Sequence, residues 1–120
     1  MKKLSLALAA SAMVAFATGA SAADINAGKA SYEKFACASC HGADAKTSVL
    51  PTYPVLAGQH ADFLEHALNA YKRGAAGAPA SANIRNNAVM GAMAAPLSLT
   101  DMQNISAWLA TLPSPLAVRK

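Results

Sequence analysis

The spacing of apolar residues predicts three helices and no strand. Apolar side chains recur every three or four positions over residues 59–73 and again over residues 98–112, as they do on one face of a helix. A shorter helix is predicted over residues 26–36, with Asn26 as its N-cap. Residues 74–89 are rich in Ala, Gly, Asn and Pro and are predicted to form a long loop. The pattern therefore indicates one all-α domain.

The two longer helices have recognisable ends. Gly74 follows the middle helix and is predicted to terminate it as a C′ glycine. Ser98 and Asp101 form the pattern of a capping box at the start of the last helix, with Asp in place of the usual Glu or Gln. Leu97 and Met102 occupy the two positions of a hydrophobic staple around that cap. We therefore expect the last helix to begin at Ser98.

The first 22 residues have the pattern of an export signal. Two lysines precede an apolar stretch over residues 4–17, and Ala20-Ser21-Ala22 is a small-residue cleavage site. A membrane anchor is the alternative, but the apolar stretch is shorter than the ~20 residues that span a bilayer. We expect a signal peptide at residues 1–22 and a mature domain at residues 23–120. Cleavage removes two of the charges behind the formal +4, and no basic run remains to support nucleic-acid binding.

The composition leaves a shortage of bulky core residues. A chain of 120 residues is the size of one domain, and 54% hydrophobic against 13% charged residues excludes a disordered protein. Aromatic residues make up only 6%, however, and much of the apolar content is alanine. Such a chain is expected to be marginally stable unless another group supplies buried apolar surface.

A cysteine motif in the predicted loop after the first helix suggests what that group is. Cys37-Ala38-Ser39-Cys40-His41 is C-x-x-C-H, the spacing of a c-type haem attachment site. Two thiols separated by two residues can form thioethers with the two vinyl groups of a porphyrin, and His41 can then bind the iron as proximal ligand. A haem would also supply the buried apolar surface that the few aromatic side chains do not provide.

Three other interpretations fit the cysteines less well. A structural disulfide between such close residues would close too small a loop to stabilise much. A thioredoxin-like redox pair expects a βαβ pattern, and no strand is predicted. A zinc site could recruit His60 or His66, but adjacent Cys40 and His41 fit one tetrahedron poorly. Covalent haem is therefore favoured.

A second axial ligand is expected from the C-terminal half of the chain. The candidates are Met90, Met93, Met102, His60 and His66. The staple assigns Met102 to packing, and the two histidines are expected to be ordinary surface or core residues of the middle helix. Met90 and Met93 lie just before the last helix, in a segment expected to be flexible, where a thioether could reach the iron. Position alone does not choose between them.

Three further stretches have a pattern typical of one family. They are Tyr53-Pro54-Val55-Leu56-Ala57-Gly58-Gln59-His60, Tyr71-Lys72-Arg73-Gly74 and Met90-Gly91-Ala92-Met93-Ala94-Ala95-Pro96-Leu97-Ser98. Together with C-x-x-C-H they closely resemble the bacterial class I cytochromes c of the c4 and c553 type, over residues 28–112. The resemblance implies a class I cytochrome c fold, with helices packed around one covalently attached haem c. Cytochromes c4 carry two domains and two haems, whereas this chain has one motif, so a single-haem carrier of the c553 kind is expected.

The resemblance also assigns individual residues. The family's axial methionine lies seven residues before the leucine that opens the last helix, which maps to Met90, while Met93 takes the place of an apolar packing residue. The carbonyl of Pro54 would accept a hydrogen bond from Nδ1–H of His41 and orient its ring. The first and last helices would cross at four packing residues, Gly28, Tyr32, Ile105 and Trp108.

These assignments predict an electron carrier and not an enzyme. With His41 and Met90 on both axial positions, iron would have no site for substrate and would pass one electron at a time between a redox-protein donor and acceptor. We expect the carrier in the periplasm, outside the membrane once the signal is removed. A patch of Lys72, Arg73 and Arg85 could assist docking, although an ordinary solvated surface is favoured.

Two alternatives remain open. An electron-accepting cytochrome subunit of a dehydrogenase complex would use the same haem site. A five-coordinate haem enzyme or sensor would require that neither Met90 nor Met93 binds iron.

Overall fold

The computed structural model describes residues 22–116, and the regular secondary structure in this part of the chain is helical. It contains one 3₁₀ turn, Ala80–Ala82, and five α-helices: α1 (Ile25–Lys34), α2 (Ala38–His41), α3 (Ala61–Ala75), α4 (Ala88–Ala94) and α5 (Leu99–Thr111). No strand occurs between residues 22 and 116, as expected for an all-α domain. The predicted signal peptide lies outside the described residues, apart from Ala22, and stays a prediction.

The first and last helices cross at a glycine. Gly28 of α1 lies directly on the backbone of α5, where an added Cβ would overlap the carbonyl oxygen of Asn104 and lie 2.9 Å from Cβ of Trp108. One turn further along α1, the ring of Tyr32 packs on Trp108 with 4.9 Å between the ring centroids. Ile105 is buried beside them. The crossing implied by the family resemblance is therefore present.

The N-cap of α1 differs from the prediction. Asp24 and not Asn26 caps the helix, and its carboxylate accepts the backbone N–H groups of Asn26 and Ala27 at 2.8 and 3.0 Å. Asp24 also donates its own backbone N–H to Oδ1 of the buried Asn104, at 2.8 Å. This bond to α5 fixes where α1 begins.

The start of α5 is as predicted. The hydroxyl of Ser98 accepts the backbone N–H of Asp101, and the carboxylate of Asp101 accepts the backbone N–H of Ser98, each at 3.0 Å. Leu97 and Met102 are both buried beside this cap. The capping box and the staple therefore fix the entry to the last helix.

The prediction that Gly74 ends the middle helix is wrong. α3 continues to Ala75, and Gly77 takes the positive φ, at 75°. At Gly74 an added Cβ would overlap the carbonyl oxygen of Arg85. Here the glycine lets the returning chain pass close to the helix, and this requirement is invisible in local sequence.

The predicted loop before the last helix is partly wrong, because residues 88–94 form α4. Asn87 caps this helix, and its side-chain oxygen accepts the backbone N–H of Met90 at 2.9 Å. Seven residues are too few for an apolar period to be visible, and Gly91 at the centre is a poor helix former. Met90 and Met93 therefore lie on a capped helix and not in a flexible loop.

The core lies where α5 packs against α1 and α3, and α3 in turn packs against α4. Its large buried members are Tyr32, Leu64, Leu97, Met102, Ile105, Trp108 and Leu109. Among the helices of residues 22–116, none has the length and apolar character needed to cross a bilayer.

Candidate functional site

A cavity of about 530 Å³ lies between the helices. All four residues of the predicted site, Cys37, Cys40, His41 and Met90, line it, and Met93 lines it as well. Much of the remaining wall is apolar, with Leu56, Leu64, Leu68, Leu97, Ile105 and Leu109. This volume is within the ~300–1,000 Å³ range of cofactor cavities, and thiol, imidazole and thioether groups are the donors that a c-type haem uses. The residues present therefore fit a haem.

The C-x-x-C-H motif forms a helical turn, where a loop was predicted. Ala36 has a positive φ of 55°, which ends α1 and lets α2 begin in a new direction. The backbone N–H groups of Cys40 and His41 both donate to the carbonyl of Cys37, at 3.3 and 3.0 Å. Residues three and four apart lie on the same side of a helix. The turn thus presents both thiols and the imidazole to one cavity.

The ring of His41 is buried and held by the chain that follows. Its Nδ1 lies 3.1 Å from the carbonyl oxygen of Pro54. A carbonyl can only accept, so Nδ1 carries a proton in this contact, and Nε2 is the ring nitrogen that could bind a metal. Such support is typical of a metal-ligating histidine, and it is the contact that the family resemblance implied.

A second contact fixes the backbone just beyond His41. The phenol of Tyr32 donates to the carbonyl of Gly42 at 2.8 Å. Burial raises the pKa of Tyr32 above its usual range, so the phenol keeps its proton and stays a donor. Gly42 itself has φ of 84°, and an added Cβ would overlap the carbonyl of Thr47. The residue after the motif is therefore tightly constrained.

The thiol-redox and zinc interpretations gain nothing from the structure. Burial raises the pKa of the Cys37 thiol, whereas a redox-active cysteine needs a lowered one. Residues 22–116 contain no group of three or more His, Cys, Asp or Glu side chains placed to hold a metal ion.

The other candidate axial ligands lie away from the cavity. Met102 is fully buried in the core beside the α5 cap. His60 is exposed at the N-cap of α3, and His66 is exposed with its Nδ1 2.7 Å from the carbonyl of Asp62. Met90 and Met93, three residues apart on α4, both remain candidates by position.

The three residues of the suggested basic patch each have a specific contact. Lys72 donates its ammonium to the carbonyl of Leu97, and Arg73 donates to the carbonyl of Asn83 at 2.8 Å. Arg85 lies over aromatic rings at the cavity.

Sequence analysis missed Asn87 as the residue that caps α4, although an Asn three residues before Met90 is an N-cap signal.

Comparison with known proteins identifies the family. The family model described as cytochrome c matches residues 25–113. The chain belongs to the cytochrome c family. The membership confirms the class I cytochrome c resemblance and the all-α fold, and it implies a covalent haem c, for which Cys37, Cys40 and His41 have the attachment spacing. The protein is an electron-transfer cytochrome.

Three relatives support this assignment. The thiosulfate dehydrogenase electron acceptor of Stutzerimonas stutzeri is 34% identical over 119 residues, which are 96% of this chain and 51% of that protein. Cytochrome c-554(547) of Halothiobacillus neapolitanus is 38% identical over 93 residues, 76% of this chain and 99% of the relative. Cytochrome c-554(548) of Halomonas halodenitrificans is 38% identical over 72 residues, which are 60% of this chain and 78% of that protein. The chain thus spans about half the length of the first relative and matches nearly all of the second.

Proposed function

We propose that this cytochrome is a periplasmic one-electron carrier in which Cys37 and Cys40 hold the haem c, and His41 and Met90 are its axial ligands. The observation that carries the proposal is the arrangement of one cavity: the C-x-x-C-H turn lines it together with Met90, and His41 is oriented by Pro54. When bound, the haem supplies the redox change between ferric and ferrous iron. The protein residues bind it, orient its ligands and keep water out.

The choice of Met90 over Met93 rests on the family register, since the axial methionine lies seven residues before the leucine that opens the last helix. The backbone N–H of Met90 is held by Oδ1 of Asn87, so the residue sits in the fixed first turn of the helix. A thioether ligand favours ferrous iron and raises the reduction potential relative to a second histidine.

Two filled axial positions make the protein a carrier and not an enzyme, because substrate would find no open position on iron. Its partners are then redox proteins that donate and accept the electron in brief encounters. The N-terminal export pattern, with its predicted cleavage after Ala22, supports a periplasmic location for residues 23–120. A second candidate is an electron-accepting subunit of a dehydrogenase complex, favoured by the name of the Stutzerimonas relative. Stable co-purification with a larger enzyme would select that candidate.

The test is the absorption spectrum of the haem-loaded protein beside Met90→Ala, with Met93→Ala as the matched control. Methionine-bound ferric haem shows a weak far-red band. We expect that band in the wild type and in Met93→Ala, and its loss in Met90→Ala. Its loss in Met93→Ala alone would move the ligand, and its absence from the wild type would favour an open or differently ligated iron. A protein that carries no haem in a host able to attach it would overturn the function.

A further inference from the structure

The cavity contains one permanent charge. Among its lining residues in the described part of the chain, Arg85 is the only Lys, Arg, Asp or Glu. The rest of the wall offers apolar groups and a few neutral polar side chains, among them Thr52, Gln59 and Asn87. Arg85 is itself exposed, so its cation lies at the rim of this cavity, where aromatic faces accompany it.

Aromatic faces hold this cation in place. The guanidinium carbon of Arg85 lies 5.5 Å from the ring centroids of both Phe63 and Tyr71, and both rings also line the cavity. Cation–π contacts engage the flat face of a guanidinium, so its N–H groups along the edge stay available to an acceptor.

The backbone of Arg85 is fixed as well. Its N–H donates to the carbonyl of Ala70 at 3.1 Å, and its own carbonyl lies against Gly74, where no Cβ could fit. Both contacts are with α3, the helix that also carries Phe63 and Tyr71. Two contacts with α3 thus fix the backbone of Arg85, and two more with the same helix position its guanidinium.

A haem brings two propionate carboxylates into a site that has no acidic side chain in its described lining. A half-buried carboxylate needs a charged or hydrogen-bonding partner, and a guanidinium can bind one through two parallel N–H groups. We infer that Arg85 binds a haem propionate and that its charge raises the reduction potential of the iron. The inference rests on the proposed haem site, and it assigns Arg85 a positioning and tuning role beyond the axial ligands.

The sign of the effect follows from charge. Ferric haem carries one more positive charge than ferrous haem, so a nearby cation disfavours the ferric form. Removing Arg85 also leaves the propionate uncompensated, and a bare anion favours ferric iron. Both changes lower the potential.

The test compares Arg85→Gln with Arg73→Gln in the haem-loaded protein. Each variant removes one positive charge, but Arg73 donates to the carbonyl of Asn83 and does not line the cavity. Spectroelectrochemistry should give a lower potential for Arg85→Gln than for the wild type, with a smaller shift for Arg73→Gln. Equal shifts in the two variants would show that only net charge matters and would overturn the inference.

Infrared difference spectra test the propionate contact directly, because a purely structural role of Arg85 would leave the propionate bands unchanged. Growth on 5-aminolevulinic acid labelled with carbon-13 at its carboxyl carbon marks the haem propionates. The labelled bands of the oxidised-minus-reduced spectrum should change in Arg85→Gln and stay unchanged in Arg73→Gln. Arg85→Lys, which keeps the charge but not the planar fork, should restore most of the potential while its propionate bands still differ.

The two proposals can fail separately. If Arg85→Gln retains covalent haem and the far-red band but has the wild-type potential and propionate bands, the role of Arg85 is wrong and the carrier function stands. If Arg85→Gln does not mature, wild-type propionate bands in Arg85→Lys would equally overturn the inference. A wild type without haem would remove the basis for both proposals.

Discussion

Helices α1 and α5 of this cytochrome approach each other closely at Gly28, and Gly28→Ala tests this crossing. The added Cβ would meet the carbonyl oxygen of Asn104, its carbon at 2.6 Å and Cβ of Trp108 at 2.9 Å. The first two atoms belong to the backbone of α5 and cannot rotate away. The helices must therefore separate by the width of the overlap.

The expected cost follows from two opposing effects. Overpacking a well-packed site costs about 1–3 kcal/mol, and a clash with backbone belongs at the upper end of that range. Alanine returns about 1 kcal/mol, because it is a better helix former than glycine. The free energy of unfolding should therefore fall by about 2 kcal/mol. Separation of the helices also loosens the contact of Tyr32 with Trp108, which adds to the loss.

Guanidinium chloride unfolding of the haem-loaded protein measures this cost. Trp108 is the only tryptophan, so its fluorescence reports directly on the α1–α5 crossing, and circular dichroism follows the helices. Gly91→Ala is the matched control, because its nearest new contact is the Cβ of Ala75 at 3.2 Å, which needs only a small adjustment. Its effect should stay below about 1 kcal/mol. Equal stability of Gly28→Ala and Gly91→Ala would refute the close crossing.

Two other contacts give further predictions. Ser98→Ala removes the acceptor for the N–H of Asp101 and should cost about 1 kcal/mol in urea unfolding. The hydrogen bonds of Ser98 lower the pKa of Asp101, so their stabilisation is present above the unfolded-state pKa of about 4 and is lost as pH falls through the lowered folded-state pKa. The free energy of unfolding of Ser98→Ala should therefore drop less on acidification than that of the wild type, and an unchanged pH profile would contradict this. Tyr32→Phe removes the hydrogen bond to Gly42 and should lower the thermal midpoint by the equivalent of about 1 kcal/mol, whereas an unchanged midpoint would show that the bond adds nothing.

The parts of the fold that could be predicted are those encoded by neighbouring residues. The apolar period of α3 and α5 and the capping box at Ser98 lie within a few positions of one another. α4 was missed because seven residues show no period, and its cap at Asn87 was the remaining local signal. The role of Gly74 was missed because it depends on a contact with Arg85, which is distant in the sequence.

The candidate site divides in the same way. The spacing of C-x-x-C-H alone predicts haem attachment, and the family register predicts Met90 as the second ligand. The surroundings depend on contacts between segments far apart in the chain. Pro54 reaches His41 across thirteen positions, a contact that only the family resemblance anticipated. Arg85 joins Phe63 and Tyr71 through a fold that no local pattern encodes. From the sequence it was therefore expected on an ordinary solvated surface, with a patch of Lys72, Arg73 and Arg85 as the alternative.

The scarcity of aromatic residues and the position of the cavity have one physical explanation. The walls come from different helices: Tyr32 from α1, Leu64 and Leu68 from α3, and Ile105 and Leu109 from α5. These side chains face a space of about 530 Å³, so what they bury depends on the group between them. In a cytochrome that group is haem c, whose ring offers the flat apolar surface that a chain with 6% aromatic residues does not. Covalent attachment by Cys37 and Cys40 would then serve stability as well as redox chemistry, because losing the haem would remove the centre of the core.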